Sequence, residues 1–120
     1  MIDEGKPIFQ QIAEQIENDI IAGALAEESQ VPSTNEFAAF HRINPATAGK
    51  GVALLVDEGI LYKKRGIGMF VATGAREQVL AKRRESFRAD FVVPLIAEAK
   101  KLGITPTELN HLITNEGEAS

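Results

Sequence analysis

"ILYKKRGIGMFVA", residues 60–72, is the stretch whose reading decides the fold. "ILYKK" and "MFVA" read as two short strands, joined at Arg65-Gly66-Ile67-Gly68. The glycines supply the positive φ angles that a tight hairpin turn needs. Three cations in a row, Lys63, Lys64 and Arg65, stand at the mouth of that turn. A stiff arm of this kind holds positive charge out from the body of a protein. What lies beside it decides what the arm is for.

Upstream, the pattern is helical. In "RINPATAGKGVALLVDEGIL" Asn44 is a good N-cap and Pro45 a good first-turn residue. The spacing predicts a helix from 45 to about 58 that stops at Gly59. Ala48, Val52, Leu55 and Val56 share one face of it, and Ala46, Thr47 and Lys50 lie roughly opposite. Gly49 and Gly51 each cost about 1 kcal/mol relative to Ala in a helix. They make sense where something approaches the backbone closely, either a ligand or a tight helix crossing.

Before that, Ser33 and Glu36 form an S-x-x-E capping box ahead of Phe37, Ala38 and Phe40. A short helix starts there and ends near His41. Earlier still, Ile8, Ile12, Ile16 and Ile20 recur at i+4, with Phe9 and Ala13 beside them. Pro7 suits the first turn of this helix and Gly23 its end. The order is thus helix, helix, helix, hairpin. The second and third helices are only a few residues apart, as in a helix-turn-helix, and the hairpin takes the place of a wing.

Composition sets the outer bounds. The 120 residues suffice for one compact domain and a small appendage. No apolar run approaches the roughly 20 residues of a membrane span, and the first residues lack the layout of a signal peptide. With no cysteine, disulfides, thiolate metal sites and Cys nucleophiles are excluded, which fits a cytoplasmic location. The two histidines are too far apart to suggest a metal site, and no Ser-His-acid order stands out. "GIG" fails as a nucleotide loop because a strand follows it rather than a helix. An enzyme and a bound cofactor are therefore not expected.

The net charge of −4 hides a strong segregation. Residues 1–40 carry −7, residues 41–71 carry +3, and residues 72–120 balance. The basic segment coincides with the third helix and the hairpin. Phosphate binding depends on the charges that touch the phosphates, not on the sum.

Downstream, residues 76–102 read as one long helix with an i+4 stripe of Phe87, Phe91, Leu95 and Ala99, flanked by Leu80, Val92 and Ile96. Pro94 is expected to kink or split it, because proline removes the bond to residue 90. Gly103 ends it. Thr105 and Glu108 make a second capping box, opening a short last helix through Leu109, Leu112 and Ile113, with a disordered tail from Glu116 to Ser120. The predicted fold is mainly α with a small β-hairpin. Residues 1–74 are expected to form a winged helix-turn-helix, and residues 75–120 a helical segment whose apolar stripe must pack on the winged helix or on another subunit.

On these residues the chain resembles the GntR family of bacterial transcription regulators, and within it the small YtrA-like branch. The resemblance rests on "VPSTNEFAAFHRINPATAGKGVALLVDEGILYKKRGIGMFV", residues 31–71, and extends back to Pro7. Pro32, Ser33, Glu36, Ala38, Ile43, Asn44, Thr47, Glu58, Gly59, Gly66, Gly68, Phe70 and Val71 match the family pattern. The resemblance implies a sequence-specific DNA-binding regulator, a dimeric repressor on a palindromic operator. YtrA-like regulators often control neighbouring transporter operons.

It also implies roles. Ser33, Thr34 and Asn35 would meet DNA from the start of the second helix, and Arg42 from the turn. Asn44, Ala46, Thr47 and Lys50 would face the major groove. Lys64, Arg65 and Gly66 would sit at the wing, near the minor groove. Leu80, Phe87, Phe91, Leu95 and Ile96 would serve dimerisation. Two positions depart from the pattern: Asn35 stands where Arg is usual, and Gly49 where many members have Arg. Lys50 matches another common basic position. The larger effector domains of other branches are not expected within these 120 residues, and a small-molecule effector would find room there only in a small pocket. The competing reading is a winged helix used for protein contacts without sequence-specific DNA binding.

Overall fold

The i+4 isoleucines build the first helix as their spacing demands. The computed structural model describes residues 5–119. The start of the chain, with the acidic Asp3 and Glu4, and Ser120 at its end lie outside the described residues. Helix α1 spans Ile8–Ala22 and closes on Gly23, whose φ of 84° suits a residue without Cβ. Pro7 is its N-cap rather than a first-turn residue. Ile12, Ala13, Ile16 and Ile20 are buried, whereas Ile8, on the first turn, stays 46% exposed. Periodicity picks the face but not how far the packed layer beneath it extends.

Helix α2, Thr34–His41, begins with both halves of the capping box. The Glu36 N–H donates to Ser33 Oγ and the Ser33 N–H to Glu36 Oε1, each at 3.1 Å. Phe37 and Ala38 are buried, but Phe40 is 82% exposed. The chain turns at Arg42, φ 55°, whose N–H returns to the carbonyls of Ala38 and Ala39. Helix α3, Pro45–Asp57, follows with Asn44 as N-cap, and both α1 and α2 pack on it. Ala48, Val52 and Leu55 fill the centre. Gly51 lies where α1 crosses: a Cβ there would stand 2.7 Å from the Phe9 carbonyl oxygen and 2.9 Å from Ile12 Cγ2. Of the two explanations for this glycine, the tight crossing is the one observed.

Strands β1, Leu61–Lys64, and β2, Gly68–Val71, pair antiparallel, with Leu61 opposite Val71 and Lys64 opposite Gly68. The turn is three residues long, Arg65 to Ile67, because Gly68 already pairs in the ladder. A feature the sequence pattern did not announce lies on the other edge of β2. Val31 N–H donates to the Met69 carbonyl at 2.9 Å, Val71 N–H to that of Ser29 at 3.0 Å, and Gln30 stands opposite Phe70. Gln30 thus forms an isolated bridge to β2, and main-chain bonds of its neighbours hold the segment 28–31 along that edge.

Helix α4, Ala75–Phe87, starts immediately after the hairpin. Its Ala75 and Val79 belong to the same core as α1, α2, α3 and the hairpin. The chain divides into two compact units between Ala81 and Lys82.

In the second unit Pro94 does not break the helix. A π-helical turn, Arg88–Val92, precedes it, and helix α5 continues over Val93–Lys101. The backbone stays helical at Phe87, Val92 and Val93. A wider turn accommodates the proline ring and its missing N–H without ending the helix. Leu102 caps α5 and Gly103 follows with φ 69°. Helix α6, Pro106–Ala119, opens on the capping box of Thr105 and Glu108, whose two bonds measure 3.0 and 3.2 Å. It runs through residues 116–119, so the expected disordered tail is helical there. No proline interrupts that stretch, and a capped helix propagates until something stops it.

Candidate nucleic-acid interface

The candidate surface comprises the N-terminal ends of α2 and α3 and the tip of the hairpin. Thr34, the first residue of α2, is half-buried against the middle of α3: a Cβ on Gly49 would lie 3.6 Å from its Cγ2. This contact brings the two helix starts together. Ser33 Oγ accepts the Glu36 N–H, which leaves its own proton for an outside acceptor. The same box holds the Glu36 carboxyl below its ordinary range, chiefly through the Ser33 backbone N–H. Asn35 is exposed beside it.

At the start of α3 the Asn44 side-chain oxygen accepts the Ala46 N–H at 2.8 Å. Its carbonyl is therefore committed to the cap and its NH2 group remains to donate. Ala46 and Lys50 are exposed, Thr47 is half-buried, and Arg42 is exposed in the turn. Lys50 extends back over α1, with Nζ 5.1 Å from the centroid of the Phe9 ring. That contact was not foreseen. The only sequence signal for it is an aromatic residue on the first turn of an otherwise aliphatic helix.

The three cations of the hairpin are not equivalent. Tyr62 and Lys64 share one face of β1, and Lys63 points to the other. The Tyr62 and Phe70 rings stack at 5.9 Å between centroids, and Lys64 Nζ lies 4.2 Å from the Phe70 centroid. Lys64 therefore rests on an aromatic platform. Tyr62 donates its hydroxyl to Glu28, which also accepts from Thr73 Oγ1. The Thr73 bond first, then the Tyr62 bond, hold the Glu28 carboxyl below the usual carboxylate range. Glu28 in turn raises the Tyr62 phenol. Next to it, Glu27 accepts from the Gly74 N–H at 2.9 Å and the Arg76 N–H at 3.3 Å, capping the start of α4. Lys63, Arg65 and Gly66 are exposed. Arg65 makes no hydrogen bond or ion pair among the described residues.

A helix-turn-helix with a basic wing is thus in place, and the comparison with known proteins decides what it is. The profile of the bacterial regulatory proteins of the gntR family matches residues 8–71. The chain belongs to the GntR family. A solved GntR-family protein from Bacteroides thetaiotaomicron is 32% identical and superposes with a TM-score of 0.81, covering 94% of this chain and 98% of that one. The DNA-binding domain of AraR in complex with operator ORX1 is 30% identical with a TM-score of 0.54, covering 59% of this chain and 87% of that one. Among curated relatives from Bacillus subtilis strain 168, the HTH-type transcriptional repressor NagR is 35% identical over 83% of this chain. This chain spans only 37% of the length of NagR. The HTH-type transcriptional repressor YtrA is 27% identical over 89% of this chain, and there the match covers 82% of the relative.

The predicted dimerisation residues divide between the two units. Leu80 is half-buried in the first. Phe87, Phe91, Leu95 and Ile96 in the second are between 43% and 68% exposed. Phe87 and Phe91 meet edge to face, 5.8 Å apart, and Ala99 is the one buried hydrophobic residue among the described residues of that unit. Among the described residues no helix is long and apolar enough to cross a membrane, and no three His, Asp or Glu side chains gather to hold a metal ion.

Proposed function

We propose that this regulator is a cytoplasmic homodimer that represses a neighbouring operon by occupying a palindromic operator. Each α3 enters a major groove with Asn44, Ala46, Thr47 and Lys50, where the N-terminal part of a recognition helix reads base edges. Ser33, Thr34, Asn35 and Arg42 hold phosphates, and Lys64, Arg65 and Gly66 place the wing over the adjacent minor groove. One observation carries the reading: the starts of α2 and α3 adjoin each other, and Arg65, exposed at the tip of a stiff hairpin, has no intramolecular partner among the described residues. Residues 1–74 supply this surface. Residues 75–120 pair two copies through Leu80, Phe87, Phe91, Leu95 and Ile96, and an effector acts by altering that pairing. The chemistry is recognition, not catalysis.

The test is binding to DNA from upstream of the protein's own gene, followed by fluorescence anisotropy across a salt series. Arg65→Ala is expected to weaken binding to all sequences alike and to reduce the salt slope by about one phosphate contact. Lys50→Ala is expected to narrow the gap between operator and random DNA. A wild-type protein that shows no preference over random DNA at low salt would point to the protein-contact reading instead.

A further inference from the structure

The tip of the hairpin presents an apolar side chain where a basic wing has no evident need of one. Ile67 stands between two glycines with φ angles of 78° and 145° and is 63% exposed. Its backbone is fixed on both sides. The Ile67 N–H donates to the Lys64 carbonyl at 2.9 Å, and Gln30 Nε2 donates to the Ile67 carbonyl at 3.1 Å. The side chain is therefore carried by a pinned turn rather than by a loose loop. Its immediate neighbours in sequence are Gly66 and Gly68, which add no bulk around it. Arg65 is exposed two residues away, whereas Lys64 is drawn back over Phe70.

We propose that Ile67 is a specificity-determining residue that inserts into the minor groove beneath the wing and selects A·T over G·C pairs there. The proposal rests on the DNA-binding reading above and extends it to a residue outside the contacts named so far. The minor groove distinguishes the two kinds of pair mainly by the 2-amino group of guanine, which projects from its floor. A β-branched side chain fills the space that this group would occupy and offers it no acceptor, so the amino group is buried unpaired. Over A·T pairs the floor is open. Apolar wedges are an established way for proteins to engage this groove. Arg65 supplies charge that positions the wing on any sequence and carries no share of this selection. Charge thus positions and shape selects, through different atoms.

Inosine isolates the amino group, because an I·C pair lacks it yet keeps the major-groove edge of G·C. The experiment uses the full chain and an operator recovered by selection from a random duplex library. Wing-facing positions are those whose minor-groove protection disappears with Arg65→Ala. Those positions are then built as A·T, G·C or I·C. Wild type is expected to lose about tenfold in affinity on G·C, the scale of one mismatched pair, and to recover most of it on I·C. Ile67→Ser is expected to bind all three nearly alike, and Ile67→Val to keep the wild-type ratio. A G·C-to-I·C ratio unchanged in Ile67→Ser overturns the role of Ile67 while leaving the regulator reading intact. Failure of the wild type to select any duplex overturns both.

Discussion

The two glycines of α3 show how the same residue type serves different ends about 3 Å of helix rise apart. Gly51 is required by packing, since a methyl group there would press on the Phe9 carbonyl oxygen at 2.7 Å and on Ile12. The oxygen is main-chain and has little freedom to retreat. Gly51→Ala is expected to destabilise the first unit by about 1–3 kcal/mol, because the overpacking outweighs the better helix propensity. Gly49 faces only the Thr34 methyl at an ordinary 3.6 Å. Gly49→Ala is therefore expected to stabilise by up to about 1 kcal/mol. Urea unfolding midpoints measure both, and equal shifts of the same sign would contradict the close crossing. Sequence alone flagged both glycines but not the difference, because a crossing point is a property of two helices. The capping residues Ser33, Asn44 and Thr105 were legible for the opposite reason: a cap is satisfied within its own few residues.

At the scale of elements, the hairpin depends on a segment that looked like a loop. Residues 28–31 add to the edge of β2, and Glu28 bonds both Tyr62 on β1 and Thr73 just beyond β2. The stretch, Glu28 to Val31, carries a single apolar residue, so no periodicity betrayed it; the pairing is visible only once β2 is present. The π-helical turn was similarly half legible. Pro94 announced a disturbance in the helix, but whether the chain breaks or widens depends on the residues packed around it. Glu28 makes the hairpin's anchorage testable by pH. Its carboxyl lies below the ordinary range when folded. Its stabilising contribution is therefore complete above the unfolded value of about 4.3 and fades as pH falls through the lower folded value. Glu36 and Glu108, held down by their capping N–H groups, act in the same direction. Glu28→Gln is expected to unfold at lower urea than wild type at neutral pH, with the two curves converging in acid. Parallel curves from neutral pH down through that range would mean that the Thr73 and Tyr62 bonds do not stabilise the hairpin in solution.

For the whole molecule, the unequal cores of the two units suggest why a chain of this size would work in pairs. The first unit has a continuous core from α1 to the start of α4. The second, Lys82–Ser120, leaves Phe87, Phe91, Leu95, Ile96, Leu102, Leu112 and Ile113 each at least 43% exposed. A segment below ~40 residues rarely holds a fold without outside help. Pairing with a second copy would cover those side chains and carry two recognition helices to major grooves about 34 Å apart. Placing charge in the apolar surface separates assembly from recognition. Phe91→Glu combined with Leu95→Glu is expected to sediment as a monomer while the first unit keeps its fold. Wild type is expected to bind the full palindrome roughly 10²–10⁴-fold tighter than a half-site, the advantage that linking two binding modules confers. The variant is expected to bind a half-site as well as wild type does and to gain little from the second. If it remains dimeric, the pairing surface lies elsewhere. If it becomes monomeric yet still prefers the full palindrome by the same factor, DNA itself assembles the pair through the winged helices, and the second unit has another task.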